Sequence, residues 1–115
     1  MGAFFHPITL VGPSGASETL EALVDTGVLF AIIPAPILKR LGVKPLEARR
    51  FGPARRRIAQ VEAELAGERG HAMVVFGAAG EVPRIGRHTL DCFMLDVDER
   101  GQRLVPKVLR LIEHV

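Results

Sequence analysis

Apolar and polar residues alternate in short bursts along this chain, and glycine or proline punctuates nearly every burst. Alternation with a period of two marks a strand with one buried face. Phe4 to Leu10 reads as a first strand, ended by a turn at Gly12-Pro13-Ser14-Gly15. Thr19 to Val24 reads as a second, with Leu20, Ala22 and Val24 on one face. Val28 to Ile33 is continuously apolar and predicts a buried strand that stops at Pro34. Pro36 suits the first turn of a helix, Ile37, Leu38 and Leu41 give that helix an apolar stripe, and Gly42 ends it. Ile58 to Leu65 alternates again, and Gly67-Glu68-Arg69-Gly70 reads as a hairpin turn into a strand from His71 to Phe76. Gly77 to Gly80 is a further turn, and Val82 to Ile85 a short strand that runs into Gly86-Arg87. His88 to Phe93 suits one helical turn or two, and Phe93 to Val97 a strand. Asp98-Glu99-Arg100-Gly101 predicts a hairpin turn, with Arg103 to Pro106 returning. Val108, Leu109, Leu111 and Ile112 close the chain as a strand or a short helix.

Short pieces and frequent turns, supplied by 12 Gly and 8 Pro, predict an all-β fold with one or two short helices. No linker, repeat or low-complexity stretch divides the chain, so residues 1–115 are expected to form one domain around one core. With six Phe and no Trp or Tyr, that core must be built mainly from Val, Leu, Ile and Ala. A net charge of +2 is too small to imply a polyanionic partner. The single cysteine, Cys92, excludes an internal disulfide and suits a reducing compartment. The run Val28 to Ile33 is far too short to span a bilayer, and no basic segment precedes an apolar one at the N-terminus. The expected setting is the cytoplasm, with no membrane association.

One local conflict stands out in this pattern. Asp25-Thr26-Gly27 interrupts apolar sequence on both sides, Leu23-Val24 before it and Val28 to Ile33 after it. A carboxylate enclosed in that way is costly to bury, and such conflicts concentrate at functional sites. Peptide hydrolysis offers a use for it, because a base must activate water and an acid must protonate the departing amine. Two carboxylates close enough to share one proton do both. Thr26 can fasten the loop through its hydroxyl, and Gly27 lets the backbone turn tightly. The alternative is that Asp25 only initiates a β-turn.

Leu23-Val24-Asp25-Thr26-Gly27 resembles the active-site signature of the retropepsin-like (clan AA) aspartic proteases, of the bacterial single-domain type. The apolar strand, the proline and the helix that follow match the same pattern. Pro83-Arg84-Ile85-Gly86-Arg87 is similar to the segment that crosses behind the catalytic loop in that family, which makes Ile85, Gly86 and Arg87 candidate supports of the loop. Asp96-Val97-Asp98 and Arg103-Leu104-Val105-Pro106 resemble the C-terminal hairpin of bacterial members. The resemblance implies a closed, β-barrel-like acid-protease domain, a homodimer and a peptide or protein substrate. It implies Asp25 as the catalytic carboxylate and no metal or organic cofactor. The chain holds no second Asp-Thr-Gly or Asp-Ser-Gly, so the second carboxylate is expected from another copy across a two-fold axis. Gly2 to Phe5 and Leu109 to Val115 are candidate interface segments. A flap is expected from Arg50 to Arg57, around Arg50, Phe51, Gly52 and Pro53, with a solvated loop as the alternative. Three positions depart from the family: Val28 and Leu29, where small or polar residues usually stand, and Arg84, where the family has an apolar one.

The remaining chemistry is sparse. Arg49-Arg50 and Arg55-Arg56-Arg57 form a basic cluster, but Glu47, Glu62 and Glu64 offset it and Phe51 is its single aromatic, so a solvated face is favoured over a nucleic-acid surface. His6, His71, His88 and His114 are widely spaced and carry no zinc pattern. Cys92, in an apolar segment, is expected as a small core residue.

Overall fold

Strands β1 (Phe4–Val11) and β2 (Ser17–Val24) form an antiparallel hairpin, in register from Phe4↔Val24 to Val11↔Ser17, in the computed structural model, which describes residues 3–108. Alternation turns Phe4, Ile8 and Leu10 of β1 and Ala22 and Val24 of β2 into the core. Gly12 opens the connecting turn under the end of a helix. A Cβ there would lie 2.0 Å from the Leu41 carbonyl oxygen, so no larger residue fits.

β3 (Ala31–Pro34) leads straight into helix α1 (Ala35–Arg40). Pro36 sits in its first turn, Lys39 and Arg40 in its last, and Gly42 follows at φ +78°. The basic last turn complements the helix dipole, and glycine takes the left-handed position that stops the helix. Leu38 and Leu41 are buried beneath it.

Two consecutive hairpins follow: β4 (Glu47–Phe51) with β5 (Ala54–Leu65), then β5 with β6 (Glu68–Gly77). β6 runs parallel to β3. The two-residue strand β7 (Arg84–Ile85) enters between β2, to which it is parallel, and β3, to which it is antiparallel. The resulting sheet has the order β1-β2-β7-β3-β6-β5-β4, and an additional pairing of β1 with β5 curls it towards a barrel. Helix α2 (Arg87–Cys92) and a separate hairpin of β8 (Leu95–Asp98) and β9 (Arg103–Pro106) complete the described chain. Ile8, Leu10, Ile33, Leu38, Leu65, Val74 and Ile85 are almost fully buried, so the core is aliphatic, as the composition requires.

Three expectations change. Val28 to Ile33 is not one buried strand: the ladder begins only at Ala31, and Leu29 is 55% exposed. The Val28 and Leu29 carbonyls accept from the N–H groups of Arg87 and His88 at the start of α2, which turns this backbone away from strand pairing. The hairpin turn between β5 and β6 is Ala66-Gly67, not Gly67 to Gly70, with φ of +50° and +81° at the two residues. Two successive positive φ values are the mark of a type I′ turn, whose hand matches strand twist. Cys92 is exposed, because α2 turns Thr89 and Leu90 inward and leaves Cys92 beside Asp91 on the outer side. The expected closing element from Leu109 onward lies outside the described residues.

Ala66 occupies its left-handed position without the local hydrogen bonding that makes asparagine tolerant of it. Ala66→Asn is expected to stabilise the fold by about 1 kcal/mol, measured as a rise in the urea midpoint at unchanged m-value.

Candidate active site

β2 sends Val24 into the core and leaves Asp25 half-buried just beyond its end. The crossing strand grips this point from the side: the Leu23 N–H donates to Pro83 O at 2.8 Å and the Asp25 N–H to Ile85 O at 3.0 Å. The chain then reverses. The Val28 N–H returns to Asp25 O at 3.2 Å, and the Gly27 N–H donates to Asp25 Oδ1 at 2.9 Å. Asp25 therefore does initiate a turn by its own hydrogen bonds.

The surroundings go beyond what a turn needs. Arg87 N–H and His88 N–H hold the carbonyls of Val28 and Leu29, each at 2.8 Å. Gly86 lies so close beneath that a Cβ would meet Leu29 O at 2.6 Å and Phe30 O at 2.7 Å. Ile85 is fully buried in the core. The segment Ile85-Gly86-Arg87 thus braces the Asp25 loop through backbone contacts.

Arg84 alternates with Ile85 on β7, so its side chain leaves the strand on the face opposite the core. There its Nη1 donates to Asp25 Oδ2 at 2.7 Å. The side chains are 33% and 30% exposed, so water screens the pair only in part. Sequence reasoning noted Arg84 as a departure and missed this partnership. A signal was present, since each residue is a lone charge within apolar strand sequence and such charges are retained in pairs.

The charges continue outward. Glu81 Oε1 accepts from the Ala78 N–H at 2.8 Å and from Arg56 Nη1 at 3.4 Å. The Ala78 N–H first, then Arg56, hold this carboxyl below its ordinary value of 4.5 despite partial desolvation, and Arg84 adds to the effect. A lowered carboxyl pKa contributes stability above the unfolded value, and that stability is lost as pH falls through the folded one. Glu81→Gln is expected to cost under about 1 kcal/mol near neutrality, given the exposure of the pair. The difference from wild type should vanish as pH drops below the ordinary carboxyl range, read from urea midpoints across an acid titration.

The β4–β5 hairpin faces the loop across a pocket of about 230 Å³, with Val28, Phe30 and Ile32 on one wall and Phe51, Arg56 and Val75 on the other. The rings of Phe30 and Phe51 meet edge to face at 6.3 Å. A second recess, of about 200 Å³, borders Asp25 and Thr26 and is lined also by Ala3, Phe4 and Val97.

No protein-family model and no curated protein sequence matches this chain. Solved structures do. The protease of simian foamy virus (mac) superposes with a TM-score of 0.59 at 11% identity, covering 76% of this chain and 92% of that one. The retroviral protease-like domain of Ddi1 from Leishmania major gives 0.63 at 19% identity, covering 95% and 91%. A retropepsin-like aspartic protease from Rickettsia conorii gives 0.51 at 14% identity, covering 85% and 89%.

The chain has a retropepsin-like fold. Within this retropepsin-like frame, Arg50 to Arg57 is a β-hairpin, solvated along most of its length. Phe51 and Ala54 pair across a Gly52-Pro53 turn, with Gly52 at φ +60°. Glycine at the first central position suits a II′ turn. Arg50, Gly52 and Pro53 are exposed, whereas Phe51 is half-buried against the pocket. Thr26 and Gly27 are exposed beside Asp25. The Arg87 side chain is exposed, with no ion-pair partner within 4 Å among the described residues. His88 instead packs its ring on Phe30 at 5.4 Å and approaches Cys92 Sγ at 3.5 Å. In the basic segment, Arg49 pairs with Glu47 and Arg56 with Glu81. Among the described residues no helix is long and apolar enough to cross a membrane.

Proposed function

We propose that this chain, as a single domain over residues 1–115, is an aspartic endopeptidase that works as a homodimer, with Asp25 of each subunit forming the catalytic pair. The observation that carries the reading is the braced Asp25-Thr26-Gly27 loop. Its aspartate follows directly on the strand that buries Val24, its Gly27 N–H sets Oδ1, and a crossing strand grips it by backbone hydrogen bonds. Two such loops meeting at a two-fold axis bring the carboxylates together. One carboxylate then takes a proton from water as that water attacks the scissile carbonyl, and the other protonates the amine as it leaves. Thr26 ties the paired loops, and Gly27 leaves room for the substrate backbone.

The half-buried Phe51 and the pocket beneath it support the β4–β5 hairpin as a flap over an extended peptide. Ala3 and Phe4 line the recess beside Asp25, and Phe5 next to them is 56% exposed, which supports the N-terminal segment as part of the dimer contact. No metal or organic cofactor takes part, and the partners are a second copy and a peptide or protein substrate. Neither nucleic acid nor membrane is engaged, and the setting is the cytoplasm.

One observation favours a second reading, a catalytically silent dimerisation or peptide-binding module. Both carboxylate oxygens of Asp25 already accept hydrogen bonds within the subunit, Oδ1 from Gly27 and Oδ2 from Arg84. Digestion of a denatured protein mixture from acid to neutral pH, with and without pepstatin, separates the two. Pepstatin-sensitive cleavage supports the enzyme, and a dimer that cleaves nothing across that range supports the silent module.

A further inference from the structure

Gly27 turns Asp25 Oδ1 into the loop, so Oδ2 is the oxygen left to face water, substrate or a second carboxylate. Arg84 takes that oxygen. A guanidinium only donates hydrogen bonds and stays charged, so it offers Oδ2 nothing that a proton-transferring partner would. The root of Arg84 is fixed, because β7 is paired on both sides, with Leu23 and with Ile32. The side chain is a third exposed, and its head can swing from that root to another acceptor on the same surface. Across the pocket, Arg56 of the hairpin adds a second positive charge, partly offset by Glu81, with which it pairs at 3.4 Å.

From this geometry we infer that Arg84 is a specificity-determining residue: it holds Asp25 in the free subunit and transfers to an acidic side chain beside the scissile bond, which releases Asp25 for catalysis. The inference rests on the protease reading above and names the substrate class of that same site. A neutral peptide must break the Arg84–Asp25 contact without replacing it. A peptide with Asp or Glu next to the scissile bond replaces one charge-assisted hydrogen bond with another, and a carboxylate matches the guanidinium fork. The difference corresponds to about tenfold in kcat/KM, the lower end for a hydrogen bond to a charged group, since this pair is part-exposed.

The test uses the full chain and a library of peptides derived from a digested proteome, with cleavage sites read by mass spectrometry. Wild type is expected to enrich Asp and Glu at the two positions flanking the cut. In a matched pair of peptides, Glu→Gln at that position should lower kcat/KM about tenfold. Arg84→Met and Arg84→Gln keep the length of the side chain without its charge, and whichever folds serves. Each should lose the distinction between the matched peptides and cleave the Gln form at least as fast as wild type does. Asp25-dependent cleavage with no acidic enrichment, or variants that retain the preference, overturns the role of Arg84 and leaves the protease reading standing. Absence of Asp25-dependent cleavage in wild type and both variants overturns the protease reading, and the role of Arg84 falls with it.

Discussion

Asp25→Asn is expected to lower peptide cleavage about 10³-fold, the scale of one general acid–base group, while the subunits still associate. The substitution keeps size and shape, so neither the crossing strand nor the buried core beneath the loop is disturbed. It changes what the two side-chain positions can accept. Aspartate receives the Gly27 N–H on Oδ1 and the Arg84 guanidinium on Oδ2. An asparagine amide has one acceptor oxygen, so either orientation turns its NH₂ towards another donor. One of the two hydrogen bonds is lost, at a cost of about 1 kcal/mol, too little to unfold the chain. Loss of catalysis with a folded dimer therefore reports on chemistry. The measurement is release of fluorescent peptides from labelled denatured casein, with sedimentation velocity and a thermal melt on the same sample. Cleavage that persists in the Asn variant removes Asp25 from the mechanism.

Gly86→Ala should be the most damaging single methyl at this site. Its Cβ would lie within 2.8 Å of three backbone atoms: Leu29 O, Leu29 C and Phe30 O. No rotamer relieves a clash with backbone, so the chain itself must shift. Overpacking of this kind costs about 2–3 kcal/mol, which at this size lowers Tm by roughly 10 °C. The carbonyls that must move belong to the segment that continues from Asp25-Thr26-Gly27, so cleavage is expected to fall along with stability. Gly70 offers the contrast. An added Cβ there comes no closer than 3.4 Å, to the Phe93 ring, so Gly70→Ala should leave the melt nearly unchanged. Equal melting of the Gly86 and Gly70 variants would show that the loop is not braced by close backbone approach.

These two sites differ in how visible they were in the sequence. Asp25 announced itself as a lone acid between apolar segments, and that conflict is a local property of residues 23–33. Gly86 was marked only by its likeness to a family segment. The reason a methyl cannot be added there is a carbonyl nearly sixty residues away in sequence, and no periodicity encodes it. The flap shows the same division. Gly52-Pro53 marked a turn, but the β-hairpin around it exists because Glu47–Phe51 pairs with the start of β5. Arg49 to Arg57 carries little apolar alternation of its own. The turn falls at Ala66-Gly67, one residue before the stretch that Gly67 and Gly70 mark, because alanine is an unusual occupant of a left-handed position and carries no turn signal of its own.

By itself, the sequence determined the properties that short stretches can specify. Alternation set β1, β2 and the second half of β5, and proline and glycine bounded α1. The aliphatic composition set the character of the core, and a single isolated acid marked the candidate site. Tertiary structure alone decided how these parts meet. It inserted β7 between β2 and β3, although two residues have no periodicity to read. It bent Val28 to Phe30 out of strand geometry, because the N–H groups at the start of α2 capture that backbone. It also brought Arg84 onto Asp25, 59 positions apart, at 2.7 Å. A local pattern records which face of its own element a side chain occupies. Whether another element stands opposite that face is settled only when the strands cross, and there Asp25 acquires both its support and its restraint.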